Sequence, residues 1–210
     1  MFKAVLIDFD GTLVKRDILD ILCGIAGKEK ESKRINKEFH NGLRTGRVSL
    51  IQRINFLKGV TLGEIKTVLD KKQYLTKGAK ELLDFLNKES IVSILHSGNL
   101  VPVLQYFQRS LNISYVVGTQ PQMDGDRIVG ISDADFPSRN FKLQGIQKIL
   151  VSLSIKPHEA FAIGDSPADK KIFEFAGASI AINAKNGIEA HADYVIKDDL
   201  RKAIPIIQKT

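Results

Sequence analysis

Two rhythms of apolar and polar positions run along the chain. Short, almost unbroken apolar stretches occur at residues 3–8 (KAVLID), 91–97 (IVSILHS), 114–118 (SYVVG), 160–165 (AFAIGD), 178–183 (ASIAIN) and 193–197 (DYVIK). Runs of that length without alternation are the mark of strands buried on both faces. Between them, residues 77–89, 100–111 and 140–153 carry apolar positions at helical spacing. Strands alternating with helices predict an α/β fold, a Rossmannoid parallel sheet with helices on both faces. Residues 15–75 break the pattern, with several amphipathic helices and no convincing strand. They read as a small helical cap inserted after the first strand, leaving 1–14 and 76–210 as the core. Residues 116–133 contain short apolar pieces around Asp124-Gly125, which predicts a hairpin.

Composition narrows the class. The 210 residues are 43% hydrophobic and 26% charged, ordinary for a globular protein able to bury a core. No apolar run approaches the roughly 18 residues of a membrane span, and the N-terminus lacks the features of a signal peptide. The expectation is a cytoplasmic protein, monomer or homodimer, with no membrane partner. The single cysteine, Cys23, sits among helical apolar positions and reads as a packing residue. A net charge of +7 raises nucleic-acid binding as a rival function. The positive residues are scattered, however, and the densest segment, GKEKESKRINKEFH, alternates signs as a solvated helix does. No nucleic-acid partner is therefore expected.

Ligands of open parallel sheets bind beyond the carboxyl ends of the strands, so those ends carry the candidate chemistry. The first ends in Asp8-Phe9-Asp10-Gly11-Thr12, where both acids would share a face if the extended geometry persisted. The second ends in His96-Ser97-Gly98-Asn99, offering a hydroxyl and a close backbone approach just before a helix. A later one ends in Gly164-Asp165-Ser166-Pro167-Ala168-Asp169. Taken singly, each has an ordinary reading. Asp10-Gly11 suits a hairpin turn, Asp165 or Ser166 a helix cap, Ser97-Gly98-Asn99 a turn, Lys142 a surface position. Together they bring acids, a hydroxyl and glycine amides to one sheet edge. Oxygen donors without a cysteine cluster suit a hard cation such as Mg²⁺, and a carboxylate can attack phosphorus.

In order and approximate spacing, DFDGT, HSG, Lys142 and GDSPAD resemble the four motifs of the haloacid dehalogenase superfamily of phosphohydrolases, over nearly the whole chain. Within it the spacing is most similar to the phosphoserine phosphatase family. The resemblance implies a Mg²⁺-dependent phosphomonoester hydrolase working through an aspartyl-phosphate on a small phosphorylated metabolite, with L-phosphoserine foremost. Phosphoglycolate or a sugar phosphate are alternatives. A phospho-signalling receiver is a rival of another class, disfavoured by its shorter chain and adjacent acids. By resemblance, Asp8 is the nucleophile and a metal ligand, and Asp10 the general acid and base, with its carbonyl on the metal. Asp165 completes the metal ligands, and Asp169 orients the metal's waters or Lys142. Gly11, Thr12, Ser97, Gly98 and Lys142 hold the phosphate.

On the cap, Asp17 and Arg53 fall where that family meets the substrate ammonium and carboxylate. The ordinary alternative for Arg53 is a solvated arginine on an amphipathic helix. Four positions depart from the family pattern. Asp17 replaces glutamate, Gly46 a phenylalanine, Asn99 a second glycine, and Ala168 an asparagine. His96 is expected in the core or just behind the site.

Overall fold

The computed structural model describes residues 2–71, 73–136 and 140–209. Its centre is a six-stranded, wholly parallel sheet in the order β3-β2-β1-β6-β7-β8. The strands are β1 (Ala4–Asp8), β2 (Val92–Leu100), β3 (Tyr115–Thr119), β6 (Ala160–Gly164), β7 (Ala178–Ile182) and β8 (Tyr194–Ile196). A separate antiparallel pair, β4 (Gln122–Asp124) and β5 (Arg127–Gly130), is the hairpin expected at Asp124-Gly125. Each apolar run of the sequence thus becomes a strand within one to three residues of its predicted limits.

Residue parity divides the core. On β1, Val5 and Ile7 join one apolar cluster, while Ala4 and Leu6 join another on the opposite face. The first cluster receives Leu82, Leu83 and Leu86 of α5 (Ala79–Lys88) and Val103, Leu104 and Phe107 of α6 (Val101–Leu111). The second receives Ile146 and Leu150 of α7 (Phe141–Ser152) and Ile172 of α8 (Lys170–Phe175). Burial on both faces is why these strands carry continuous rather than alternating apolar residues. The C-terminal helix α9 (Ile204–Lys209) closes the first face through Ile207.

The segment between β1 and α5 is helical, with α1 (Ile18–Cys23), α2 (Glu29–His40), α3 (Gly46–Asn55) and α4 (Leu62–Asp70). Only Ser32 and Ile35 of α2 are fully buried, and Lys33–Glu29 and Arg34–Glu38 pair along its outer surface. Thr45 caps α3, and Thr61 caps α4 in a capping box with Glu64. The chain leaves and re-enters the core side by side. Val14 bridges Leu75, Lys15 N–H donates to Tyr74 O at 3.0 Å, and Thr76 N–H donates to Leu13 O at 2.9 Å. The far end of this helical layer is fastened to the hairpin. There Gly59 N–H donates to Ile128 O, Ile128 N–H to Val60 O, and Leu62 N–H to Asp126 O, at 2.8–2.9 Å. No helix among the described residues is long and apolar enough to cross a membrane.

Candidate active site

β1 stops at Asp8 because the next residues fold into a turn. Leu13 N–H donates to Asp8 O at 3.2 Å and Val14 N–H to Phe9 O at 3.0 Å. Gly11 takes φ +94°, a region that disfavours side chains. The turn feeds α1, so no returning strand forms and the hairpin reading of Asp10-Gly11 fails. The extended geometry also ends here, and the two acids take different neighbours. Asp8 lies opposite His96 in register and looks toward α7, where Lys142 Nζ stands 3.7 Å from its Oδ1. The same ammonium is 3.4 Å from Asp169 Oδ1. Asp10 instead accepts from Ile18 N–H at 2.8 Å, Ser97 Oγ at 3.1 Å and Asn99 Nδ2 at 3.2 Å.

The third contribution comes from β6. Asp165 follows its last residue, and its Oδ2 pairs with Lys185 Nζ at 2.5 Å. A Cβ on Gly11 would lie 2.0 Å from that oxygen, so glycine is what lets β1 and β6 deliver their acids side by side. Asp169 is fully buried and accepts from the Asp165 and Ser166 N–H groups at 3.3 and 3.4 Å.

Crowded acids titrate abnormally. Burial, and then the Asp169 charge, push the Asp8 carboxyl well above its ordinary range, with Lys142 opposing. Burial and Asp17 push Asp10 up to about 7, against the Ile18 and Asn99 hydrogen bonds. Burial also raises Asp165, though Lys185 pulls the other way. Burial alone would lower Lys142, but Asp169 and Asp8 outweigh it and keep the ammonium charged. The rim is therefore short of positive charge. Oxygens of Asp8 and Asp169 and a nitrogen of His96 lie within 4.8 Å of one another. Four carboxylates against two lysines, with oxygen the dominant donor, match a hard divalent cation.

Asp8, Asp10, Asp165 and the two lysines line a cleft of about 460 Å³ between the sheet edge and the helical layer. Among the described lining residues, seven lysines and arginines outnumber four aspartates, a field that draws anions. Across the cleft, Arg53 is 4% exposed, which removes the solvated-helix alternative. Its guanidinium pairs with Asp17 and with Asp20, the latter at 3.0 Å, and Nε donates to Ser32 Oγ at 3.0 Å. Asp17 also caps α1 and accepts from Asn36 Nδ2 at 2.9 Å. Gly46 opens α3, and a Cβ there would meet Phe39 Cε2 at 3.2 Å. The space that a side chain at 46 would claim is thus filled from α2, so the cleft keeps an aromatic wall.

Asp8, Asp10, Gly11, Asp17, Arg53, Ser97, Gly98, Lys142 and Asp165 all line this one cleft, as does Ala168. Thr12 and Asp169 do not. The turn after β1 carries Thr12 inward, where it is fully buried, its N–H donates to Phe9 O at 3.3 Å and its hydroxyl has no partner among the described residues. A phosphate contact from Thr12 is therefore not available in this geometry. Cys23 is buried as expected, its thiol pushed up to about 11 by burial. His96 is buried behind Asp8, its Nδ1 3.9 Å from Oδ1. Sequence reasoning missed Lys185, Phe39 and Asp20. Lys185 stands just beyond β7, so the strand-end rule that found Ser97 and Asp165 would have found it too. Asp20 lies three residues after Asp17 on α1, the spacing of neighbours on one helix face.

Comparison with known proteins gives a consistent result. The family model described as haloacid dehalogenase-like hydrolase matches residues 5–174. A phosphoserine phosphatase of Methanocaldococcus jannaschii is 28% identical over 207 residues, covering 98% of each chain. One from Campylobacter jejuni subsp. doylei is 27% identical over 208 residues, covering 99% of this chain and 100% of its own. Among solved structures, a phospho-aspartyl intermediate analogue of phosphoserine phosphatase superposes with a TM-score of 0.85 at 28% identity, covering 98% of this chain and 99% of that one. A substrate-bound phosphoserine phosphatase complex does so with a TM-score of 0.86 at 27% identity, covering 99% of each.

Proposed function

Since the chain belongs to the haloacid dehalogenase-like hydrolases, we propose that it is a Mg²⁺-dependent phosphomonoesterase that acts on L-phosphoserine through an aspartyl-phosphate on Asp8. One observation carries the reading: Asp8, beside Lys142 at 3.7 Å, and Asp10, held by Ser97 at 3.1 Å, face one cleft at the end of one strand. An oxygen of Asp8 attacks phosphorus in line with the departing ester oxygen. Asp10 gives that oxygen its proton, then takes one from the water that splits the aspartyl-phosphate. A carboxyl pushed up to about 7 is suited to both tasks near neutral pH. Lys142 and the Gly98 N–H group hold the phosphoryl oxygens and offset their charge, and the Ser97 hydroxyl, which here donates to Asp10, turns to the phosphoryl group when it binds. Asp8, Asp165 and the Asp10 carbonyl would hold Mg²⁺, which supplies further charge neutralisation, while Asp169 keeps Lys142 in place.

The substrate end of the cleft supports an amino acid phosphate. Arg53 offers a planar fork to a carboxylate and Asp17 an acid to an ammonium. The names of the relatives agree with this. A second reading follows from Arg53 being already paired with Asp17 and Asp20. A substrate carboxylate must share that guanidinium, whereas a sugar phosphate could bond Asp17 and Asn36 and leave the pairs intact.

Asp8→Asn is the primary test. With Mg²⁺ present, hydrolysis of p-nitrophenyl phosphate should fall to background, and retained turnover would refute the nucleophile. A panel of phosphoserine, phosphoglycolate and sugar phosphates decides the substrate. Arg53→Ala should raise KM for phosphoserine and spare esters without a carboxylate.

A further inference from the structure

Asn99 stands where the family pattern has glycine, and its whole side chain is committed to the site. Its Oδ1 accepts from Leu100 N–H at 2.8 Å, and its own N–H donates to Ser97 Oγ at 2.9 Å. With the oxygen taken, the Nδ2 edge faces Asp10, 3.2 Å from Oδ2 and 3.4 Å from Oδ1. A flipped amide would set oxygen against carboxylate and strand the Leu100 N–H. The other two donors each reach one oxygen, Ile18 N–H at Oδ1 and Ser97 Oγ at Oδ2. Asn99 spans both, which fixes the plane of the carboxyl group. At 1% exposure it makes these bonds away from solvent, where they are stronger.

We propose that Asn99 is a positioning residue for Asp10, holding the carboxyl group where it delivers its proton to the departing oxygen. This rests on the function proposed above. In the first step the Asp8 oxygen bonds to phosphorus, the bond from phosphorus to the ester oxygen breaks, and that oxygen takes the proton of Asp10. In the second, a water oxygen bonds to phosphorus, the bond from phosphorus to the Asp8 oxygen breaks, and the water's proton returns to Asp10. Between the two steps Asp10 is an anion, the form to which Asn99 Nδ2 donates. A glycine at 99 has no such donor.

Positioning a proton donor matters only to leaving groups that need the proton. p-Nitrophenolate departs without one, whereas phenolate does not. The test uses the full chain as wild type, Asn99→Gly and Asn99→Leu. Phosphoryl transfer is followed in single turnovers, with Mg²⁺, across aryl phosphates of rising leaving-group basicity. Asn99→Leu keeps much the same shape, adds no charge and removes the donor, so it separates donation from packing. In both variants the loss on phenyl phosphate should exceed the loss on p-nitrophenyl phosphate by about tenfold or more, as expected for a hydrogen bond to a charged group. The plot of log rate against leaving-group basicity should steepen in both. Parallel plots, whether from uniform loss or no loss, would overturn this inference alone. A wild-type chain that hydrolyses neither phosphoserine nor any aryl phosphate with Mg²⁺ would overturn the proposed function, and this inference with it.

Discussion

Arg53 and Asp20 form a buried ion pair across the contact between α3 and α1, with Nη2 3.0 Å from Oδ1 and both residues at most 5% exposed. Ser32 ties the pair together by donating to Asp20 and accepting from Arg53 Nε.

Removing Asp20 leaves the buried guanidinium to Asp17 and takes away the acceptor of the buried Ser32 hydroxyl. Asp20→Ala should therefore cost about 2 kcal/mol, lowering Tm by roughly 4–8 °C. Asp20→Asn keeps a hydrogen-bonding side chain and should cost less. Thermal melts of the two variants check this, and equal, small losses would show that the pair contributes little.

Much of this geometry was legible beforehand, for identifiable reasons. β1, β2, β6 and β7 are buried on both faces, so their apolar runs had to be strands, and their carboxyl ends had to carry the polar groups. What stayed hidden depends on side chains meeting across distant segments. Phe39 reaches the space beside Gly46 only because α2 and α3 pack together. Thr12 looked like part of a phosphate loop, but the turn that frees Asp10 also draws Thr12 into the core. The bonds from Asn99 to Asp10 join residues 89 apart, beyond the reach of any local pattern.

Gly11→Ala should be among the most damaging small substitutions in the chain. The new Cβ would sit 2.0 Å from Asp165 Oδ2, on a backbone at φ +94°. Asp165 must then move, so the apparent affinity for Mg²⁺ should weaken and kcat should fall by about two orders of magnitude, as for displaced catalytic groups. A Mg²⁺ titration of activity, alongside a melt, reads both effects. Wild-type Mg²⁺ dependence would contradict the close approach of β1 and β6.

His96→Val should leave stability unchanged or raise it. Neither ring nitrogen has a hydrogen-bond partner among the described residues, and burial drives the ring well below its ordinary pKa, keeping it neutral. A buried polar group without a partner costs about 1–3 kcal/mol, which valine does not incur. Denaturant unfolding tests this. A loss of midpoint would show that the ring makes a bond of value.

Proton uptake should stabilise the chain when divalent cations are removed. Asp8, Asp10 and Asp165 have folded pKa values above the unfolded 3.8, about 7 in the case of Asp10. The stability each adds is complete below 3.8 and is lost as pH rises through the folded value. His96 acts oppositely, its contribution being full above 6.5 and lost as pH falls below that. Between pH 8.5 and 6.5 the carboxyls therefore dominate. In chelator, Tm should climb on acidification across that window, by roughly 2–3 °C from Asp10. Added Mg²⁺ at pH 8.5 should restore the difference, and Asp10→Asn should flatten the slope. A Tm that falls toward pH 6.5 would contradict the raised values.

The paired crossing at Val14 and Leu75 has a practical consequence for engineering. Because the backbone departs and comes back at adjoining points, residues 15–74 form a loop whose ends are already joined by hydrogen bonds. A different helical segment grafted between those two anchors would need no new scaffold on the sheet side. The graft would have to supply an amide in place of Ile18 N–H on Asp10 and the backbone bonds that now tie Gly59, Val60 and Leu62 to the hairpin. On the proposed function, such a graft exchanges the side chains offered to the substrate, Asp17 and Arg53, and leaves Asp8 and Asp10 where they stand.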